Sequence, residues 1–258
     1  MQDSFTRLGI QRVLFDLDDT LLETHNVFIE VLGSIRQRIA VLLNVSLEQL
    51  ERDFEECQLE SRKLHHVNPL PLWTLTLENL GLRYPVLDAE LQQEFVQTIM
   101  QELYTKPIVL KEGALELVLT LIEAGIPIGI VTNASDEWTK FKLEQSGLTN
   151  YFDPSTVWVV QPDVKKTKEH WQNAIAAGGI PAERTLVFGD NVGSDIIPAT
   201  ELGALAVYLK LTNNWGVHAI GYESIDLTRV IEISRLNEFS DKLEMFIQKV
   251  ENPLPPVL

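Results

Sequence analysis

The sequence predicts an α/β fold: an open parallel sheet flanked by helices, with an all-helical block inserted after the first strand. Three observations predict it. Short apolar runs of strand length end abruptly in polar or acidic residues. From residue 108 onward such runs alternate with amphipathic segments of helix length, and between residues 24 and 107 helical periodicity persists without a strand-like run.

The first strand is the run Val13-Leu14-Phe15, which suits burial on both faces and stops in three carboxylates, Asp16, Asp18 and Asp19. In ideal strand geometry Asp16 and Asp18 share a face; Asp18 falls just past the strand, where the chain turns back over the same pocket. The helical block follows. Phe28, Val31, Leu32, Ile35, Ile39 and Leu42 recur at helical spacing over residues 26–43, and Ser46 with Gln49 reads as the capping box of a second helix. Pro69 and Pro71 interrupt the pattern, and residues 72–80 and 87–103 resume it as two more helices. His65 and His66, beside Arg62 and Lys63, read as a solvated helix end.

Beyond residue 108 the α/β alternation takes over. A helix over 112–124 stops at Gly125, and the strand 126–131 ends in Thr132-Asn133. Ser135 or Asp136 caps a helix reaching Gly147. A third strand (157–160) leads into a loop with Lys165, Lys166 and Lys168, then a helix over 168–177. The fourth strand (185–188) ends in Gly189-Asp190, and Ser194 or Asp195 opens a helix that stops near Gly203. A fifth strand (204–209), a sixth (230–233) and a closing helix (236–250) complete the pattern, with Trp215 read as a buried side chain and the proline-rich tail 253–258 as loose.

A chain of 258 residues with 45% apolar and 22% charged residues is an ordinary globular protein with a sizeable core. A net charge of -16 argues against a nucleic-acid partner, because phosphate backbones are bound by surplus Lys and Arg. Cys57 is the one cysteine, so neither an intramolecular disulfide nor a thiolate metal cluster is expected. No apolar run reaches the length of a membrane span, and residues 1–9 lack a signal-peptide layout, so a cytoplasmic location with no membrane partner is the default expectation. Nothing in the sequence fixes an oligomeric state.

In an open parallel sheet, ligands bind beyond the carboxyl ends of the strands. Asp16, Thr132 and Asp190 each stand at such an end, and the lysine cluster lies in the loop after another. With these residues in this order, the chain resembles the haloacid dehalogenase-like (HAD) hydrolase superfamily. Its opening signature, Asp-x-Asp-x-Thr, is carried by Asp16, Asp18 and Thr20. The resemblance continues through Thr132-Asn133, Lys142-Leu143, Gly147-Leu148 and Tyr151-Phe152-Asp153, and it ends in Asp190 and Asp195.

The resemblance implies a Rossmann-like core (residues 1–23 and 108–258) and a mobile helical cap (24–107) that closes over the site and helps choose the substrate. It also implies a Mg²⁺-dependent phosphatase acting on a small phosphorylated metabolite. In that scheme Asp16 is the nucleophile that forms an aspartyl-phosphate, and Asp18 is the general acid and then base. Thr132, Asn133 and a lysine hold the phosphoryl group, and Asp16, Asp18, Asp190 and Asp195 form the metal set, whose hard oxygens suit Mg²⁺. Family spacing from Asp190 favours Lys165, whereas the Lys-Thr pair and the downstream Trp171 favour Lys166, to which the reading leans. Asp195 alternatively serves only as a helix cap. Asp18 speaks against the dehalogenase members, which lack that second Asp. Neither Lys63 nor Lys106 has the context of a Schiff-base lysine. A phosphomutase and a non-catalytic phospho-ligand-binding or regulatory module remain the alternatives.

Overall fold

A computed structural model describes residues 1–65, 68–210 and 221–252. The readings of the His65 and His66 side chains, of Trp215 and of the 253–258 tail lie outside the described residues. Six parallel strands form one sheet: β1 (Arg12–Phe15), β2 (Ile128–Asn133), β3 (Val157–Val160), β4 (Thr185–Gly189), β5 (Leu205–Leu209) and β6 (Val230–Ile233), in the order β3-β2-β1-β4-β5-β6. The order reverses at β1, which pairs with β2 on one side and β4 on the other, with Phe15 opposite both Ile130 and Phe188. The crevice at this reversal lies beyond the ends of β1 and β4.

Alternate residues of each strand feed opposite faces of the sheet. Leu14, Val131 and Val187 pack with Trp171, Ala174 and Ile175 of α8 (Lys168–Ala177) on one face. Val13, Phe15, Ile130 and Phe188 join the larger core on the other, where Phe15 stacks on Phe188 and Phe188 meets Phe239 edge-on. A strand covered on both faces has to be apolar throughout, which is why β1 carries no alternation. Arg12 is the exception; its buried guanidinium donates to the Ala174 and Ile175 carbonyls at the end of α8 and lies over the Trp158 ring.

After β1 come four consecutive helices, α2 (Thr24–Leu43), α3 (Leu47–His65), α4 (Pro69–Arg83) and α5 (Ala89–Thr105), whose apolar stripes pack on one another. Pro69 and Pro71 open α4 rather than breaking a helix: in the first turn the missing N–H has no intrahelical partner to lose. The remaining helices are α6 (Ala114–Glu123), α7 (Asp136–Ser146), α9 (Ile197–Glu201) and α10 (Phe239–Glu251). The periodicity does not announce α1 (Gln2–Leu8), a single short amphipathic stretch held by tertiary contacts: Phe5 packs on Phe239, and Arg7 pairs with Glu244 and Glu251 of α10. No helix among the described residues is long and apolar enough to cross a membrane.

Candidate active site

Asp16 follows directly on β1, and its backbone N–H donates to the Phe188 carbonyl at 2.8 Å, so the β1–β4 pairing continues to the point where its side chain turns into the crevice. Thr20 donates to Asp16 Oδ2 at 3.0 Å and is fully buried, which fixes the carboxylate from below. Asp190 stands at the end of β4. Asp195 comes from the following π-helical turn (Val192–Ile196), not from the start of a regular helix. Asn191 is the cap there, its side chain accepting from the N–H groups of Gly193 and Ser194 at 3.0 and 3.1 Å, and this corrects the expectation that Ser194 or Asp195 would do so. The turn winds Asp195 back over β4. Gly189 is required beneath it, since a Cβ at that position would fall 2.4 Å from Asp195 Cβ.

Asp16, Asp190 and Asp195 thereby place one oxygen each within 4.8 Å of one another, and all three are buried. Lys166, also buried, donates to Asp16, reaches Asp195 Oδ1 at 2.7 Å and donates to the Val131 carbonyl at 3.0 Å. Lys165 is exposed and lines no part of the cavity above the trio, so of the two candidate lysines Lys166 is the one that the structure brings to the carboxylates. The loop is fixed by Asn133, whose side-chain amide donates to the carbonyls of Val160, Gln161 and Val164 at 3.0, 3.0 and 3.1 Å. That amide therefore ties down the lysine loop, and for a phosphate contact Asn133 has its backbone to offer. Thr132 lies beside it on β2, fully buried, with a hydroxyl that has no hydrogen-bond partner.

Burial is the largest influence on Asp16 and Asp195. It raises the Asp16 carboxyl well above the usual carboxylate range, with Lys166 opposing and the neighbouring carboxylates adding to the rise. Asp195 is raised for the same reason, again with Lys166 opposing and Asp190 adding. For Lys166, desolvation lowers the ammonium but Asp16 and Asp195 more than offset it, so its pKa is raised. One lysine against Asp16 and Asp195, with Asp190 alongside, leaves acidic groups in excess of basic ones in a buried site. That donor set, hard oxygens only, fits a divalent cation such as Mg²⁺.

Asp18 is not part of the trio. Its carboxylate receives the Lys142 ammonium from α7, and Lys142 is fully buried with its charge 5.8 Å from the Trp138 ring centre. The motif reading places Asp18 in the metal set along with its acid-base role; its carboxylate points instead to Lys142 while still lining the cavity. Lys142 is a functional candidate that the motif reading misses, although a signal exists. In α7 it shares the buried stripe of Trp138, Thr139 and Leu143, an odd place for a lysine without an acidic partner. Asp19 sits at φ 59° and accepts from the His25 N–H at 2.8 Å; burial pushes it up to about 7, with Asp190 adding. The left-handed backbone there explains why Gly, Asn or Asp suits the position.

Above these groups the helical block and the core share one cavity of about 550 Å³. Two contacts join its rims: Asn68 at the start of α4 donates to Asp163 of the lysine loop at 2.8 Å, and Tyr104 of α5 meets Trp138 of α7 edge-on at 4.3 Å.

Comparison with known proteins agrees with this geometry. Residues 10–203 match the family of haloacid dehalogenase-like hydrolases. The pyrimidine 5'-nucleotidase YjjG of Escherichia coli (strain K12) is 26% identical over 205 residues, covering 77% of this chain and 85% of that protein. A glyceraldehyde 3-phosphate phosphatase of Pyrococcus abyssi is 27% identical over 216 residues, covering 78% and 82%. The crystal structure of a haloacid dehalogenase-like family hydrolase from Xanthomonas campestris superposes with a TM-score of 0.73 at 18% identity over 94% of each chain.

Proposed function

Because the chain belongs to the haloacid dehalogenase-like hydrolases, we propose that it is a Mg²⁺-dependent phosphatase that hydrolyses a small phosphorylated metabolite through an aspartyl-phosphate on Asp16, with the four-helix block as its cap. The observation that carries the reading is the division of labour between the two motif carboxylates. Asp16 lies with Asp190, Asp195 and Lys166 in a buried cluster, while Asp18 stands apart, held by Lys142, on the wall of the same cavity.

A carboxylate is a weak nucleophile, so attack on phosphorus requires the repulsion between two anions to be offset and their approach to be fixed. Asp16, Asp190 and Asp195 would hold Mg²⁺, which would supply positive charge for this. Thr20 orients Asp16, and Lys166 holds a phosphoryl oxygen. Thr132 offers its unpaired hydroxyl and the backbone N–H groups after Asp16 and at Asn133 complete the cradle.

An Asp16 oxygen bonds to phosphorus as the bond to the leaving oxygen breaks, and Asp18 gives that oxygen its proton. Asp18, now a carboxylate, takes a proton from water. The water oxygen attacks phosphorus, the bond to Asp16 breaks, and inorganic phosphate leaves. The curated relatives, a pyrimidine nucleotidase and a glyceraldehyde 3-phosphate phosphatase by name, differ in leaving group but share this demand on the phosphate end.

The test is release of inorganic phosphate from nucleotides, sugar phosphates and aryl phosphates, with Mg²⁺ and with chelator. Wild-type protein is expected to release phosphate only with the metal, and Asp16→Asn to lose at least about 10³-fold in kcat. Activity that persists in chelator or in Asp16→Asn refutes the mechanism, and exchange of phosphate between two positions of one sugar without net release marks a mutase instead.

A further inference from the structure

We propose that Tyr104 and Trp138 are positioning residues for proton transfer to the leaving oxygen: one ring from the helical block and one from the core keep Lys142 buried, and Lys142 in turn fixes Asp18. The part of Asp18 as the acid rests on the phosphatase reading. The link from the two rings to Lys142 stands on its own contacts.

Lys142 is fully buried on α7, and an ammonium taken out of water has to be compensated where it lies. Two groups do so. The Asp18 carboxylate receives the ammonium, and the charge lies over the Trp138 ring, 5.8 Å from its centre. Trp138 precedes Lys142 by four residues, the spacing that sets a ring beside a cation on one helix face. Asp18 needs such an anchor. It stands beyond the end of β1 with its side chain 32% exposed, against 8% for Asp16.

The Trp138 ring is itself held from two directions. Phe141 stacks on it at 5.3 Å and 11° from within α7, and Tyr104 of α5 meets it edge-on at 4.3 Å, with Phe141 a further 6.4 Å contact. Both arrangements attract beyond the area they bury. Phe141 belongs to the same helix as Trp138, whereas Tyr104 reaches across from the helical block. Tyr104 is therefore the contact through which that block acts on Lys142.

Keeping water from Lys142 strengthens its attraction to Asp18, because a charge pair gains far more in a low dielectric than in solvent. Without Tyr104 the Trp138 ring loses a neighbour, water reaches the ammonium, and Asp18 is held less firmly toward the leaving oxygen. A misplacement of about 1 Å in a reacting group can cost about 10²-fold in rate. The other contact between the rims, Asn68 with Asp163, ends on the lysine loop and involves neither Trp138 nor Lys142. It provides the control.

Tyr104→Ala is expected to lower kcat about ten-fold for an alkyl phosphate, whose leaving oxygen needs the proton, and less than about two-fold for a nitrophenyl phosphate. Tyr104→Phe, which keeps the edge contact, is expected to restore both rates, and Asn68→Ala to change the two esters by one common factor. In a Lys142→Met background, Tyr104→Ala is expected to cost the alkyl ester nothing more, because the group it acts through is gone. Tyr104 is partly exposed, so its truncation spares the core, and melting temperatures report the folding of each variant.

A second measurement needs no turnover. Reductive methylation of the native protein, followed by mass spectrometry, is expected to modify Lys142 at least about ten-fold faster in Tyr104→Ala than in wild type, with the exposed Lys140 as internal reference.

Equal losses on the two esters in Tyr104→Ala, an undiminished loss in the Lys142→Met background, or unchanged labelling of Lys142 overturns the assignment. Hydrolysis of both esters by the wild type alongside any of these results spares the phosphatase reading. Faster labelling of Lys142 in Tyr104→Ala, in a protein that hydrolyses no phosphate ester, sinks the phosphatase reading and upholds the link from the rings to Lys142.

Discussion

Lys142 and Lys166 partition the opening motif between them, one holding Asp18 and the other Asp16. Lys166→Met is expected to lower kcat by about 10²-fold or more, as the loss of a buried cation facing developing phosphoryl charge does in comparable sites, while the exposed Lys165→Met stays within about two-fold; steady-state rates on one phosphate ester decide this. Lys142→Met frees Asp18 from its anchor, so its cost depends on how much the leaving oxygen needs a proton. A loss of about 10²-fold with an alkyl phosphate but under about ten-fold with a nitrophenyl phosphate is the expected pattern, read from kcat/KM across leaving groups of different basicity. An equal loss for both would mean that Lys142 merely supports the fold. Burial raises the Cys57 thiol above its ordinary value, with Arg83 opposing, so alkylation of native protein by iodoacetamide at pH 7 is expected to be far slower than in urea, followed by mass spectrometry.

Among the elements, β4 and the turn after it form the tightest coupling of backbone to chemistry. Gly189→Ala sets a methyl group against the Asp195 side chain, and the expected result is loss of activity together with a lower melting temperature, because a displaced Asp195 leaves both Lys166 and the trio incomplete. All six strands are legible in the sequence, most plainly β1, β4 and β5, which are buried throughout and, Arg12 and Thr185 apart, are written as apolar runs, as a parallel strand covered on both faces requires. Helix starts are less legible. Ser135 is readable as a cap since its hydroxyl accepts from the Trp138 N–H, but Asn191 is not, because the turn it opens is π-helical and carries no 3.6-residue pattern. The site is legible where a strand end fixes a residue, at Asp16, Thr132 and Asp190. It is ambiguous in the lysine loop, where the register of adjacent lysines is set by the Asn133 bonds to three carbonyls, which no local pattern encodes.

For the whole molecule, the buried trio links stability to pH and metal. Asp16 and Asp195 have folded-state pKa values above those of the unfolded chain, so between the ordinary carboxylate range and the raised values the folded state holds more protons, and stability falls as pH rises. In chelator the melting temperature is therefore expected to decline from pH 5 to pH 8, with Asp16→Asn melting higher than wild type at pH 8 and the gap closing toward pH 4. Added Mg²⁺ is expected to raise the wild-type melting temperature more at pH 8 than at pH 5, since protons compete with the ion; a pH-independent increment would count against the trio as its site. The pairing of β1 with β4, strands that lie far apart along the chain, has a consequence during synthesis. A nascent polypeptide still on the ribosome carries Asp16 well before it gains Asp190 and Asp195, so it stays inert toward phosphate esters until β4 and the turn after it have been made.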